Sequence, residues 1–286
     1  MSALQIAPEQ KLRVASLNLS SSTAFYRDRV KAVVSEAEKR NVDVLLLQEI
    51  SSPDALNTLA FKAGYKHVFI SPTATVRRNG EKGSSTGILS RYPLSNENEL
   101  SLTGFPGATR AAYANVEFNG HHIYTVSAQL LSGAENGFIR LKQAILIEEE
   151  AARVTGDREN AILGGTFNDI PEGDSVRYLK GLKATANIKS SFWIDVTENS
   201  DIETTVTTRY HSLLGKEAAE QRGIPFPDLL PERKIDYLFC RGWVYGNIGM
   251  PMDPQLFGVS KSKDGLTVSD HYGVMADFWF PEKKSR

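Results

Sequence analysis

Short apolar runs of strand length alternate with helical stretches along almost the whole chain of 286 residues, and this alternation restricts the fold more than any other feature. Residues 13–18 predict a strand, residues 25–40 a helix, and residues 42–47 a second, buried strand. The helix carries four apolar residues on one face, namely Val30, Val33, Val34 and Ala37. The chain therefore opens with a strand, a helix and a strand, whose polar ends are where sites usually lie in such proteins.

Further strands are predicted at residues 68–70, 87–90, 114–118, 122–130, 161–164, 235–240 and 274–280, and a second helix at residues 138–154. Asn119-Gly120, between two of these strands, is a typical hairpin turn. Many strands joined mostly by hairpins, with few helices, predict an α+β sandwich of two packed sheets with the helices outside. We expect residues 1–286 to form a single domain, with an N-terminal tail at residues 1–10 and a long irregular insertion at residues 195–233.

Composition excludes several classes of protein. With 41% hydrophobic and 23% charged residues the chain is an ordinary globular protein, and its net charge of -1 gives no global basic field for bulk nucleic-acid binding. The single cysteine, Cys240, excludes a disulfide framework and a thiolate zinc cluster. We find no signal peptide and no membrane-length apolar run, so we expect a cytoplasmic location. The acidic run from Glu148 to Glu150 is expected to be the solvated face of the second helix.

Five segments share one feature, because in each an apolar run ends and polar residues able to bind a metal or a phosphate follow. They are Leu17-Asn18, Gln48-Glu49, Gly165-Thr166-Phe167-Asn168, Lys234-Ile235-Asp236-Tyr237 and Ser269-Asp270-His271. Each segment by itself is typical of a strand or turn cap. Five of them, each at a strand end, indicate one shared site.

In this order the segments resemble the motifs of the endonuclease/exonuclease/phosphatase superfamily, which has the metal-dependent DNase I-like fold. The resemblance extends from Val14 to Phe280, and the stretch from Gly87 to Leu94 is its most literal match outside the site. It implies a four-layered α/β sandwich of two packed mixed sheets flanked by helices. The ending around Ser269 to Val274 is most similar to the branch that includes neutral sphingomyelinase-type phosphodiesterases.

The resemblance implies a divalent cation, Mg²⁺ or Mn²⁺, held by oxygen ligands and several waters. Glu49 is implied as the main carboxylate ligand and Asn18 as a second ligand, while Asp270 helps to hold the metal. The implied partner is a phosphate-ester substrate.

The resemblance also assigns catalytic roles. His271 is expected to donate to a phosphate oxygen, and Asp236 to orient and charge its imidazole. Asn168 is expected to position the attacking water or a phosphate oxygen. Three further residues are candidates for substrate binding, namely Arg110, Tyr210 and His211. A single arginine such as Arg110 is more often a surface ion-pair residue.

Two positions depart from the family pattern. The family's Gly-Asp-Phe-Asn element carries a carboxylate that holds or deprotonates the nucleophilic water, but this chain has Thr166 there. The strand that usually ends in Asn-Thr-His-Leu has Gln129 in place of its histidine. Neither side chain acts as a general base near neutral pH, and losing one such group typically costs roughly 10²–10⁴-fold in rate.

Three explanations remain open. The chain is a hydrolase in which the metal lowers the pKa of water enough to replace the carboxylate, a pseudoenzyme that uses its pocket for recognition, or an enzyme repurposed to another reaction. We favour the hydrolase, acting on a small-molecule or lipid-type phosphate ester. Nucleic acid stays open as a partner but is not favoured, because Arg77, Arg78 and Lys82 form the only local basic patch.

Overall fold

The computed structural model describes residues 6–21, 25–72, 83–102, 109–155, 160–185, 191–198, 200, 233–242, 246, 248–260 and 269–283. The strands are β1 (Lys11–Asn18), β2 (Val44–Ile50), β3 (His67–Ile70), β4 (Ser85–Ser90), β5 (Leu94–Leu102), β6 (Thr109–Phe118), β7 (His121–Gln129), β8 (Ala161–Thr166), β9 (Ile194–Asp195), β10 (Asp236–Arg241), β11 (Pro251–Phe257) and β12 (Gly273–Trp279). The helices are α1 (Tyr26–Lys39), α2 (Pro53–Lys62), α3 (Gly137–Thr155) and α4 (Asp174–Leu179), and Pro8–Gln10 and Ala134–Asn136 are short 3₁₀ helices.

Every strand and both helices predicted from the sequence are confirmed, whereas β5, β9, β11, α2 and α4 were not predicted. Strand β5 is rich in Asn and Glu, and β11 contains two prolines, so neither has the usual strand composition. Almost all of the expected insertion at residues 195–233 lies outside the described residues. None of the described helices is long and apolar enough to cross a membrane.

The strands form two mixed six-stranded sheets, which confirms the predicted fold class. Sheet 1 has the order β11-β12-β1-β2-β4-β3, and sheet 2 has the order β5-β6-β7-β8-β10-β9. Within each sheet one neighbouring pair is parallel, β1 with β2 and β7 with β8, and the other pairs are antiparallel. The predicted Asn119-Gly120 turn joins β6 to β7, with both residues at positive φ.

The sheets pack face to face, and helices cover their outer faces. The central layer combines side chains of both sheets, among them Val14 and Leu46 from sheet 1 and Ala114 and Ile162 from sheet 2. A second apolar cluster joins the outer face of sheet 1 to α1 and α2, and a third joins the outer face of sheet 2 to α3 and α4. The result is a four-layered sandwich of helix, sheet, sheet and helix.

Each sheet contains one parallel pair connected through a helix, β1-α1-β2 in sheet 1 and β7-α3-β8 in sheet 2. The sheets approach closely where β8 crosses sheet 1. A Cβ atom at Gly164 would lie 2.7 Å from Leu46 Cδ1 and 2.8 Å from Ser16 Cβ, and a Cβ atom at Gly165 would lie 2.1 Å from the Ala128 carbonyl oxygen. Only glycine fits at these positions. Gly164 lets β8 approach sheet 1 closely, and Gly165 lets β8 lie against β7 within sheet 2.

The prediction that Glu148 belongs to a solvated helix face is wrong. Glu148 is buried, and its carboxylate accepts hydrogen bonds from Arg241 Nη1 at 2.9 Å, Ser191 Oγ at 3.1 Å and Trp193 Nε1. The neighbouring Glu149 is exposed, as expected. The acidic run itself contains no signal for this difference, because the partners of Glu148 come from distant parts of the chain.

We expect Glu148→Ala to lower the free energy of unfolding by about 3–5 kcal/mol, because it removes the carboxylate that balances the buried Arg241 guanidinium. Glu149→Ala, one residue along the same helix, should change it by less than about 0.5 kcal/mol. Urea unfolding followed by circular dichroism measures both. Equal midpoints for the two variants would contradict the structural role given to Glu148.

Candidate active site

Polar residues at the ends of five strands meet where the two sheets face each other. In sheet 2 the register aligns Gln129 with Thr166 and Thr166 with Asp236, so their side chains form one row across β7, β8 and β10. In sheet 1, Asn18 ends β1 and Glu49 lies near the end of β2. The structure therefore brings together these five residues, which the sequence assigned to one site.

Glu49 lies at an irregular point of β2. The pairing of β2 with β4 shifts between Leu47 and Ile50, and Glu49 has a positive φ of 55°. This conformation is uncommon for a residue with a Cβ and is often found at functional sites. Because of this irregularity, the Glu49 side chain does not follow the alternation of side-chain directions along the rest of the strand.

The Glu49 carboxylate accepts hydrogen bonds from both sheets. Its Oε1 accepts from Asn18 Nδ2 at 3.2 Å and from Gln129 Nε2 at 2.7 Å, and its Oε2 accepts from the Ser21 backbone N–H at 2.6 Å. Asn18 Oδ1 in turn accepts the backbone N–H of Ser20 at 2.7 Å, so the amino group of Asn18 faces the site. Three N–H donors therefore fix the orientation of the Glu49 carboxylate.

Thr166 connects Asn18 to Asp236. Its hydroxyl oxygen accepts from Asn18 Nδ2 at 3.0 Å, and its hydroxyl proton is donated to Asp236 Oδ1 at 2.7 Å. Both Thr166 and Asn18 are fully buried. A hydroxyl in this position orients its neighbours but removes no proton from water near neutral pH.

Asp236 and His271 form a buried pair in which His271 Nδ1 lies 2.9 Å from Asp236 Oδ2. Burial alone lowers the pKa of the imidazole, but the charge of Asp236, its hydrogen bond and the charges of Asp270 and Glu49 outweigh this and raise the pKa to about 9. At neutral pH His271 is therefore a cation that donates through Nδ1 to Asp236 and carries a second N–H on Nε2. Such a group is suited to bind a phosphate oxygen.

The loop that carries Asp270 and His271 is fixed to β1. Ser269 Oγ donates to the carbonyl oxygen of Asn18 at 2.7 Å and accepts the backbone N–H of His271 at 3.1 Å. Asp270 Oδ1 is buried and has no hydrogen-bond partner among the described residues. A buried carboxylate oxygen without a donor is an available cation ligand.

Arg29 of α1 is a residue of this site that the sequence did not single out. It is buried, donates through Nη1 to the carbonyl oxygen of Leu19, and lies near enough to Asp270 and Glu49 for their charges to favour its protonated form. Burial lowers the pKa of its guanidinium. The sequence feature that could have identified Arg29 is its position directly before Val30, on the otherwise apolar face of the first helix.

The donor set fits one hard cation that keeps most of its waters. Glu49 and Asp270 offer carboxylate oxygens, whereas Asn18 directs its amino group at Glu49 and Thr166 and its amide oxygen at the Ser20 N–H, so its role as a metal ligand stays a prediction. The described residues contain no cluster of three or more histidine, cysteine or acidic side chains placed to hold a metal. Mg²⁺ is commonly bound by one or two carboxylates together with water, which agrees with this sparse set.

The side chains of Asn168 and Asp169 contact different parts of the molecule. Asn168 has a φ of 51°, and its Nδ2 donates to the carbonyl oxygen of Leu130 at 2.8 Å, which leaves its amide oxygen to accept a hydrogen bond. Asp169 accepts the Ser175 hydroxyl at 2.7 Å and pairs with Arg140 at 3.5 Å. The Asp169 carboxylate is therefore held by Ser175 at the start of α4 and by Arg140, and not by the residues around Thr166.

Arg110 lies at the start of β6, opposite Ser101 of β5 and one residue before the pairing of Ala111 with Ala128 begins. Continuing that register places Arg110 beside Gln129, in the same row as Thr166. Its Nε is buried and has no hydrogen-bond partner among the described residues. The other two predicted substrate-binding residues, Tyr210 and His211, lie outside the described residues.

A family model described as "Endonuclease/Exonuclease/phosphatase family" matches residues 15–271 of this chain. Among solved structures, the chain is similar to D. rerio TDP2 complexed with a single strand DNA product, with 20% identity, a TM-score of 0.73 and coverage of 94% of this chain and 98% of that chain. An endonuclease/exonuclease/phosphatase from Bacteroides vulgatus is 16% identical with a TM-score of 0.69, covering 94% and 99%. At these identities the solved structures show a common fold. Among curated protein sequences, none matches this chain.

In the metal-free protein we expect the imidazole of His271 to titrate with a pKa of about 9, and Asp236→Asn to bring it to about 6.5 or below, because burial then acts with one opposing charge removed. The raised pKa contributes stability that is complete below about pH 6.5 and is lost as the pH rises through about 9. Imidazole NMR titration measures the shift, with Asp253→Asn as a remote control. Unchanged titration in Asp236→Asn would refute the coupling.

Proposed function

Because the chain belongs to the endonuclease/exonuclease/phosphatase family, we propose that it is a divalent-metal-dependent phosphoesterase that hydrolyses a small-molecule or lipid-type phosphate ester. The observation that carries this proposal is the continuous hydrogen-bonded site that joins Glu49, Asn18 and Thr166 to the Asp236–His271 pair. This chain of hydrogen bonds has the Glu49 carboxylate, a cation ligand, at one end and His271, a donor for phosphate oxygens, at the other. Both kinds of group support hydrolysis of a phosphate ester.

Glu49 and Asp270 are the residues that would hold the cation, and Asn18 orients Glu49 through its amino group. A bound Mg²⁺ or Mn²⁺ supplies charge neutralisation at the phosphate and lowers the pKa of a coordinated water, which is the activation that the missing carboxylate would otherwise provide. The hydrogen bonds from Asn18, Gln129 and Ser21 fix the orientation of Glu49. Supporting interactions of this kind tune metal affinity.

His271 and Arg110 are the groups that would bind the phosphate. His271 donates its Nε2 proton to an equatorial phosphate oxygen, and Asp236 keeps the ring charged and oriented. Arg110 adds a second positive charge at the other end of the row in sheet 2. Donors directed at the oxygens that gain charge in the transition state are usually the largest contribution to such a reaction.

Asn168 is the residue that would position the attacking water. Its amino group donates to the carbonyl of Leu130, so its amide oxygen can accept a hydrogen bond from the water and orient a lone pair of that water toward phosphorus. Thr166 takes no part in proton transfer, because its own proton is committed to Asp236. Catalysis without the usual carboxylate is therefore expected to be slower than in relatives that keep it.

The net charge of -1 supports a small or lipid-type ester over duplex DNA. Single-stranded DNA is the second candidate substrate, because the similar D. rerio TDP2 structure holds a single strand DNA product. The alternative class, a non-hydrolytic member of the fold, is favoured by one feature. Gln129 and Thr166 complete the hydrogen bonding of Glu49 and Asp236 with neutral groups.

The central test measures hydrolysis of bis(4-nitrophenyl) phosphate with Mg²⁺ or Mn²⁺. We expect metal-dependent turnover by the native chain and a loss of at least about 10²-fold in Glu49→Ala, because the main ligand is removed. Glu149→Ala, an exposed acidic residue of α3, serves as the matched control and should behave as the native chain.

The double variant Thr166→Asp/Gln129→His restores the family pattern and separates the two classes of function. If the native chain shows no turnover and the double variant is active, the proposal is contradicted. The chain would then lack a hydrolytic activity that its fold can still support. Faster turnover by the double variant than by an active native chain would agree with a hydrolase that works without the carboxylate.

We also expect Arg110→Met to raise KM for the phosphodiester about tenfold, because it removes a positive charge from the phosphate site, and Arg110→Lys to restore part of the loss. Steady-state kinetics with matched metal concentrations measures this. An unchanged KM in Arg110→Met would show that Arg110 is not a substrate ligand.

A further inference from the structure

Arg140 is a buried arginine in the first turn of α3 that the chemistry described above does not use. Only 5% of its surface is exposed to solvent. A buried guanidinium is costly unless its N–H groups and its charge are paired. Its partners come from two segments of the chain, and both segments border Asn168.

The first segment directly follows β7. Arg140 Nη1 donates to the carbonyl oxygen of Gly133 at 2.6 Å and to that of Leu131 at 3.3 Å. Leu131 is the next residue after Leu130, whose carbonyl oxygen accepts the amino group of Asn168 at 2.8 Å. Arg140 therefore holds the segment to which the Asn168 side chain is bound.

The second segment begins at Asp169, the residue after Asn168. Arg140 Nη2 lies 3.5 Å from Asp169 Oδ1. The other carboxylate oxygen of Asp169 accepts the Ser175 hydroxyl at 2.7 Å, and its carbonyl oxygen accepts the Tyr237 hydroxyl at 3.0 Å. Asp169 is thus fixed through its side chain and its backbone, and Arg140 supplies the opposite charge.

The backbone of Asn168 needs support of this kind, because it has a positive φ of 51°. Asparagine adopts such a conformation more readily than most residues, but it persists where the surrounding structure enforces it. The planar guanidinium of Arg140 presents its donors in a fixed fork. One nitrogen of the fork contacts the segment that accepts the Asn168 side chain, and the other contacts the residue that follows Asn168.

From this geometry we propose that Arg140 is a positioning residue that fixes the direction of the Asn168 amide oxygen. This inference rests on the proposed phosphoesterase function, which gives Asn168 the role of orienting the attacking water. Leu131, Gly133 and Asp169 are not among the groups proposed to bind the metal or the phosphate. The effect of Arg140 therefore falls on kcat and not on KM.

The first test is the hydrolysis of bis(4-nitrophenyl) phosphate at saturating Mn²⁺. We expect Arg140→Met to lower kcat about 10²-fold and to change KM by less than about twofold, because a misdirected water affects the chemical step and not substrate binding. Arg140→Lys keeps the charge without the fork and should restore kcat by about tenfold. Arg153→Met, on the same helix with a side chain that is 67% exposed, is the matched control. Values of kcat are expressed per Mn²⁺ site counted by calorimetry, so that unfolded protein does not lower them.

A second readout does not depend on hydrolysis. The Asn168 side-chain NH₂ group gives a pair of signals in ¹H–¹⁵N spectra, and the hydrogen bond to the Leu130 carbonyl separates the shifts of its two protons. We expect this pair to move to the position of an unbonded asparagine amide in Arg140→Met. It should stay in place in Arg153→Met and lie between the two positions in Arg140→Lys.

Arg140→Met leaves the Asp169 carboxylate buried without its counter-charge, and a loss of this kind is strongly destabilising. The double variant Arg140→Met/Asp169→Asn removes both charges and keeps an oxygen that accepts the Ser175 hydroxyl. It takes the place of the single variant if that variant does not fold. We expect the same loss of kcat and the same movement of the Asn168 signals.

Three results would overturn the proposal. An unchanged kcat would show that Arg140 has no part in the reaction, and a raised KM with unchanged kcat would assign it to substrate binding. A lower kcat with unmoved Asn168 signals would show that it acts through another group. If the native chain hydrolyses no ester while the Asn168 signals move in Arg140→Met and not in Arg153→Met, the positioning of Asn168 is supported and the phosphoesterase proposal fails.

Discussion

The position of the Glu49 carboxylate between the two sheets is the constraint on which the rest of the site depends. A negative charge placed among buried groups needs donors, and here they come from β1 through Asn18 and from β7 through Gln129. These bonds require the C-terminal ends of both parallel pairs to be at the same edge. With the strand ends at this edge, the chain of hydrogen bonds continues from Asn18 through Thr166 to the Asp236–His271 pair across sheet 2.

Much of this could be predicted from local signals. Strand periodicity located the central strands of both sheets, and the polar residues at their ends identified Glu49, Asp236 and His271 as members of one site. What could not be predicted depends on partners distant in sequence. The burial of Glu148 is set by Arg241 of β10, and the role of Arg29 is set by the Leu19 carbonyl and by charges on two other elements.

Thr166 and Gln129, which stand where the family resemblance predicts an aspartate and a histidine, each have a hydrogen-bond partner in the site. A carboxylate at position 166 would lie against Asp236, whose Oδ1 now receives a proton from the Thr166 hydroxyl at 2.7 Å. A neutral amide at position 129 donates to Glu49 whatever the pH, whereas a histidine there would donate according to its protonation. The row in sheet 2 therefore combines two neutral hydrogen-bonding side chains with the Asp236–His271 pair.

The close contact at Gly164 and Gly165 determines where such a protein can vary. At Gly164 the absence of a Cβ atom sets the spacing between the two sheets beneath the site, and at Gly165 it sets the spacing between β8 and β7. The site residues of the two sheets therefore keep one spacing. Side-chain changes are expected to be tolerated at the exposed rim of the site and not at this contact between the sheets.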